Sequence, residues 1–143
     1  MKQPPATRGD FMVWASFSTR WGDNDAYGHV NNTVYYEWFD SAVNGWLVSQ
    51  GLLEIAGGDP IALVAETCCA FAAPLAYPEP VDVGLAVAEL GRSSIRYRIG
   101  VFGANSDTAA AQGEFVHVVV DRANRRPVPI PESWRAKLES ITR

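Results

Sequence analysis

The clearest pattern in the chain lies between Asn31 and Gly51. Val34, Trp38, Ala42 and Trp46 recur at i, i+4, and Tyr35, Phe39, Val43 and Leu47 form the neighbouring row. Two adjacent rows at this spacing make one broad apolar stripe on an α-helix. Thr33, Glu37, Asp40, Ser41 and Asn44 fall on the opposite, polar side. Asn31 or Asn32 is suited to the N-cap, because a short side-chain oxygen accepts from the first free backbone N–H groups, and Gly51 supplies the stop. A helix this apolar along one side needs a sheet or another helix to cover it.

Alternation with period two predicts strands on both sides of that helix. Phe11, Val13, Ala15, Phe17 and Trp21 place a strand over 11–21, followed by a Gly-, Asn- and Asp-rich loop over 22–32. Further strands are predicted over 61–73, 81–90, 94–103 and 109–121. In the third of these, Ile95, Tyr97, Ile99 and Val101 alternate with Ser94, Arg96, Arg98 and Gly100, so one face is solvated or interfacial. Pro74, Pro78 and Pro80 punctuate one link, and 103–108 reads as a hairpin turn. Pro127, Pro129 and Pro131 lead into a short helix over 132–141. Residues 1–9, with two prolines, read as a loose arm. Strand, long helix, four strands and short helix describe one α+β domain with a mainly antiparallel sheet wrapped on the helix.

Composition narrows the functional classes. Hydrophobic residues make up 48% of the 143, enough for a real core, and a net charge of −4 disfavours a nucleic-acid partner. No run of 18 apolar residues is present, so no membrane span is expected, and the opening MKQPPATRGD lacks the apolar region of a secretory signal. These features point to the cytoplasm. Cys68 and Cys69 are neighbours whose side chains leave an extended strand on opposite faces, so buried free thiols are expected rather than a bridge.

The chemistry is concentrated in Arg20-Trp-Gly-Asp23-Asn-Asp25-Ala-Tyr27-Gly-His29-Val-Asn-Asn32, which opens the aromatic-rich helix. This string resembles the signature of the 4-hydroxybenzoyl-CoA thioesterase family. The resemblance implies a hotdog fold, an acyl-CoA substrate, Asp25 as the catalytic carboxylate, and no metal or redox cofactor. It also implies a homodimer or homotetramer with sites at the subunit boundary. Plant acyl-carrier-protein thioesterases are similar too: Asp25 and His29 match their pattern, whereas Tyr27 stands where they carry Asn. Gly91-Arg92-Ser93-Ser94 resembles the segment near the nucleotide end of the family's ligand, where Arg92 and Ser94 would meet phosphate.

The residues support hydrolysis on physical grounds as well. A carboxylate just before a helix can attack a thioester or activate water. The first helical N–H groups, Asn32 foremost, have no partner in the helix and can receive the developing oxyanion. His29 is either a second acid/base group or a hydrogen-bonding anchor of the loop. Asp23 orients the loop, Asn31 caps the helix, and His117, between Phe115 and Val119, belongs to the core. Asp-x-Asp-x-Tyr begins like a calcium loop, but Tyr27 lacks the needed oxygen and Val34 stands where the closing Glu should be. Neither a nucleophile elbow nor a phosphate loop is present. A hydratase or dehydratase on the same fold, or a non-catalytic acyl-CoA-binding module, are the alternatives; a carboxylate beside the thioester would gain a pure binder nothing.

Overall fold

The computed structural model describes residues 3–143. Five strands, β1 (Val13–Phe17), β2 (Ile61–Phe71), β3 (Val81–Leu90), β4 (Ser94–Gly103) and β5 (Ala111–Val120), form one sheet in the order β1-β3-β4-β5-β2, every pairing antiparallel. The helix α1 (Asn32–Ser49) packs on one face, and the short α2 (Glu132–Glu139) adds Trp134 and Leu138 to the same core. This is the α+β hotdog arrangement.

The register explains why one face is apolar. Leu85 pairs with Ile99, Val87 with Tyr97, and Tyr97 with Phe115, so these side chains stand in rows under α1. Against them the helix lays Phe39, Val43 and Leu47, none of which retains exposed surface. Burying side chains of this size stabilises by about 1.5–3 kcal/mol each. Asn31 is the N-cap, its Oδ1 accepting the Thr33 N–H at 3.0 Å, and Gly51 follows the helix in a left-handed conformation at φ 73°. Both ends of α1 lie where the sequence places them.

The first strand is shorter than 11–21, because Phe17 opposite Val81 is the last pair that β3 can offer. Beyond it the chain leaves the sheet: Trp21 enters a 3₁₀ turn (Trp21–Asp23) and is 82% exposed. Phe11 does not join the other odd residues. It bends onto the outer face of the sheet and forms a second cluster with Ala86, Phe102 and Ala109. Strands β2 and β5 and helix α2 likewise end one to two residues inside the ranges read from sequence.

Two expectations are corrected. The segment read as a loose arm is fastened across residues 6–10. The Arg8 guanidinium lies 5.2 Å from the Trp14 ring centroid and 5.0 Å from that of Phe102, pairs with Asp82 at 3.0 Å, and donates to the Gly103 and Ser106 carbonyls. The Ala6 N–H donates to Gln112 Oε1. Met1 and Lys2 lie outside the described residues. The two cysteines are free but not both buried: Cys69 is half-buried, whereas Cys68 is exposed, since no layer covers the outer face of the edge strand β2.

Candidate active site

The loop between β1 and α1 is closed by its own backbone. Asn24 and Val30 form an antiparallel bridge, the Asp25 N–H donates to the His29 carbonyl at 2.8 Å, and the Gly28 N–H donates to the Asp25 carbonyl at 3.1 Å. Gly28 sits at φ 79°, a conformation that favours glycine. The ring is then tied to the rest of the protein at three points. The Val30 N–H donates to the Leu75 carbonyl, the Tyr77 N–H to Asn24 Oδ1, and the Asn31 N–H to the Asp23 carbonyl.

Asp25 and Asn32 line one cavity of about 360 Å³, with Val30, Tyr35, Phe71 and Pro74 among its walls. Oδ1 of Asp25 accepts the Tyr27 N–H at 2.8 Å, and Oδ2 has no partner among the described residues. At the start of α1 the N–H groups of Asn31, Thr33 and Val34 are all engaged. The Asn32 N–H alone of this group makes no hydrogen bond with any described residue. Asp25, with a free carboxylate oxygen, and Asn32, with a free N–H at the positive end of a helix dipole, therefore both line one cavity. Part of the wall is aromatic: Tyr35 meets Phe71 edge to face with centroids 5.0 Å apart. Burial pushes the Tyr35 phenol up to about 12, so it stays neutral. Asp25 is the sole carboxylate lining the cavity.

The remaining sequence candidates are not gathered there. His29 is exposed and does not line the cavity, and its ring makes no hydrogen bond with the described residues; its carbonyl is what serves the loop. Arg92 and Ser94 are at the other end of the sheet. Phe71 pairs with Ala111 at the cavity end, whereas Ser94 pairs with Val118 at the far end, about 22–24 Å away along β5 at the rise of an extended strand.

Arg92 has neighbours there that sequence reasoning missed. The Val119 N–H donates to the Ser93 carbonyl and the Ile130 N–H to the Arg92 carbonyl, which sets the turn over 121–126 beside it. That turn carries Arg122, Arg125 and Arg126. Arg122 is engaged by the carbonyls of Ala56, Gly57 and Gly58, whereas Arg92, Arg125 and Arg126 are exposed and form no ion pair among the described residues. The Arg-Ala-Asn-Arg-Arg run was a visible signal; its nearness to Arg92 was not.

Comparison with known proteins bears on the fold and the family. Residues 19–138 match the model of the Thioesterase-like superfamily. A protein from Pseudomonas aeruginosa strain PAO1 shares 45% identity over 97% of both chains, with a TM-score of 0.93. A candidate thioesterase from Pseudomonas aeruginosa shares 30% identity over 89% of this chain and 98% of its own, with a TM-score of 0.83. A 1,4-dihydroxy-2-naphthoyl-CoA thioesterase from Synechocystis, 20% identical, covers 90% of this chain and 96% of its own with a TM-score of 0.80, a likeness of fold. Among curated proteins none matches the chain. With the family model spanning the loop, α1 and the strands β2 to β5, the chain belongs to the Thioesterase-like superfamily.

Proposed function

We propose that the protein is an acyl-CoA thioesterase, cleaving its substrate with water to a free acid and coenzyme A. The observation that carries this reading is the shared cavity of Asp25, the only carboxylate on its walls, and the unpartnered Asn32 N–H. The thioester carbonyl oxygen lies against that N–H, which stabilises the charge that develops on it as the carbonyl becomes tetrahedral. Asp25 acts either as nucleophile, giving an acyl anhydride that water then opens, or as general base on the attacking water. On both routes the sulfur leaves as the coenzyme A thiolate, which takes up a proton. Val30, Tyr35, Phe71 and Pro74 receive the acyl group; an aryl, short or medium chain is compatible with them. The narrower likeness to the 4-hydroxybenzoyl-CoA thioesterases rests on the motif from Asp23 to Asn32.

The coenzyme A phosphates fall to Arg92 and Ser94, with Arg125 and Arg126 beside them, contributed by a second copy of the chain. Support comes from the edge of β2, eleven residues long and unpaired on one side, with Leu63 and Val64 exposed. An edge of this kind is a template for another strand. A two-fold axis perpendicular to it inverts the strand direction and brings the far end of the partner toward Asp25. The free thiols suit a reducing compartment such as the cytoplasm.

The test is thiol release from a panel of aryl-, short- and medium-chain acyl-CoAs, with light scattering on the same preparation. Turnover of at least one ester by a dimer or tetramer is expected. Tight binding of esters with no thiol released from any of them would leave a binding module, and a hydrated product with the thioester intact would leave a hydratase.

A further inference from the structure

Asp23 is the only carboxylate among the described residues that is buried, at 2% exposure, and it does not line the cavity. Both of its oxygens are engaged by a single residue. Oδ2 accepts the Arg20 backbone N–H at 2.7 Å, and Oδ1 accepts Arg20 Nε at 3.0 Å with Nη2 at 2.8 Å. The Asp23 carbonyl accepts the Asn31 N–H at 2.8 Å, and Arg20 Nη2 comes within 3.7 Å of Glu37 Oε2 on α1. The bond from the Arg20 N–H caps the 3₁₀ turn, as Asp10 does at Thr7 without being buried, and such a cap needs neither burial nor the guanidinium. A carboxylate withdrawn from water is costly unless charge and hydrogen bonds compensate it, and losing one partner leaves that cost exposed.

The placement of Asp23 gives that burial a use. The residue stands two positions before Asp25, and its carbonyl holds the residue immediately before Asn32. Its side chain locks the turn that fixes this carbonyl, and through Arg20 it reaches the first turns of the helix. We propose that Asp23 is a positioning residue of the thioesterase site: the clamp that it forms with Arg20 sets the Asp25 carboxylate against the Asn32 N–H. The proposal rests on the hydrolytic reading above and adds to it a residue that touches no substrate. A displacement of about 1 Å at a reacting centre costs on the order of 10²-fold in rate. The clamp therefore controls kcat, and leaves the affinity for coenzyme A, governed at the far end of the sheet, almost untouched.

Asp23→Asn keeps the volume and removes the charge and one acceptor. The expected result is a kcat lower by about 10²-fold with KM nearly unchanged. Amide hydrogen exchange should be faster at residues 31–34 and unaltered in β3 and β4. A variant that loses thermal stability but keeps its kcat per folded molecule would overturn the proposal, as would unchanged exchange at residues 31–34. If Asp23→Asn does not fold, Arg20→Ala tests the same clamp from its exposed side and should lower kcat in the same sense. Arg20→Lys, which retains the charge without the fork, should recover part of the loss; equal activity of Arg20→Ala and the parent would overturn the proposal. Asp25→Asn is measured in parallel. Full activity in that variant would remove the hydrolytic reading, while exchange at residues 31–34 in the Asp23 variant still decides whether the clamp holds the helix start.

Discussion

Where β2 ends and α1 begins, the groups that matter are fixed by main chain. Asp25 is framed by hydrogen bonds from Tyr27, Gly28 and to His29, and Asn32 is presented by a helix whose cap and neighbouring N–H groups are all engaged. At the other end of the sheet the groups of interest are side chains on two turns. Arg92, Arg125 and Arg126 reach into solvent, and only the backbone beneath them is fastened. On the function proposed above, the contrast separates two kinds of work. Stabilising a charge that appears during bond breaking demands donors fixed within a fraction of an ångström. Holding phosphate demands positive charge nearby and tolerates movement. Changes at the first end should fall on kcat, and changes at the second on KM and its salt dependence.

Apart from Asp25 itself, the largest effect expected from this contrast comes from Asn32. Proline is tolerated at the first helical position, where its missing N–H has no helical partner, so Asn32→Pro should fold. It should lose about 10²–10³ in kcat, the scale of one oxyanion donor. Asn32→Ala keeps the N–H and should lose far less. Steady-state kinetics on the two variants compare backbone with side chain directly, and equal losses would mean that the amide side chain serves the chemistry.

The strands that join the two ends supply a second, pH-dependent effect of about 3 kcal/mol. His117 is 1% exposed with its Nδ1 unpartnered, and burial lowers its pKa from 6.5 to about 4. As pH falls the unfolded chain takes up this proton first. The stability is therefore fully present above pH 6.5 and is lost between about 6.5 and 4. Urea titrations at the two limits should show it, and His117→Phe should flatten that dependence. Because His117 touches neither end, kcat per folded molecule should not follow it.

The smallest effect belongs to the cationic end. Arg92→Ala should raise KM for the acyl-CoA about tenfold, the loss of one charge-assisted contact, with kcat retained. The KM of the parent protein should rise with ionic strength more steeply than that of the variant. A fall in kcat with KM unchanged would erase the distinction between the two ends.

The difference between the ends also governs what could be read from sequence. α1 was legible because its apolar rows, its cap at Asn31 and its stop at Gly51 are set by residues within a few positions of one another. The loop over 22–32 was legible from its Gly, Asn and Asp residues, since the bonds that close it on itself are local, whereas its ties to Leu75 and Tyr77 and the departure of Trp21 from the sheet were not. Non-local pairing was not legible. Alternation alone put Phe11 with Val13 and Ala15, because a period of two carries no sign of a bend onto the opposite face. The contacts that fix Arg8 draw on Trp14, Phe102 and Asp82, which are far apart in the chain. Cys68 is exposed because β2 is an edge, a property of strand order and not of the strand itself. The separation of Arg92 from Asp25 within one chain was not legible either, because only the register places them at opposite ends of the sheet.

The claim on which the account depends is that the Asp25 carboxylate does the hydrolysis, and Asp25→Asn tests it most directly. The change is nearly isosteric and removes the nucleophile or base while Oδ1 can still accept the Tyr27 N–H. Thiol release should fall by at least 10²–10⁴, the range of a general base, in a variant that folds and binds coenzyme A esters as before. A folded Asp25→Asn protein with an undiminished kcat would contradict the account.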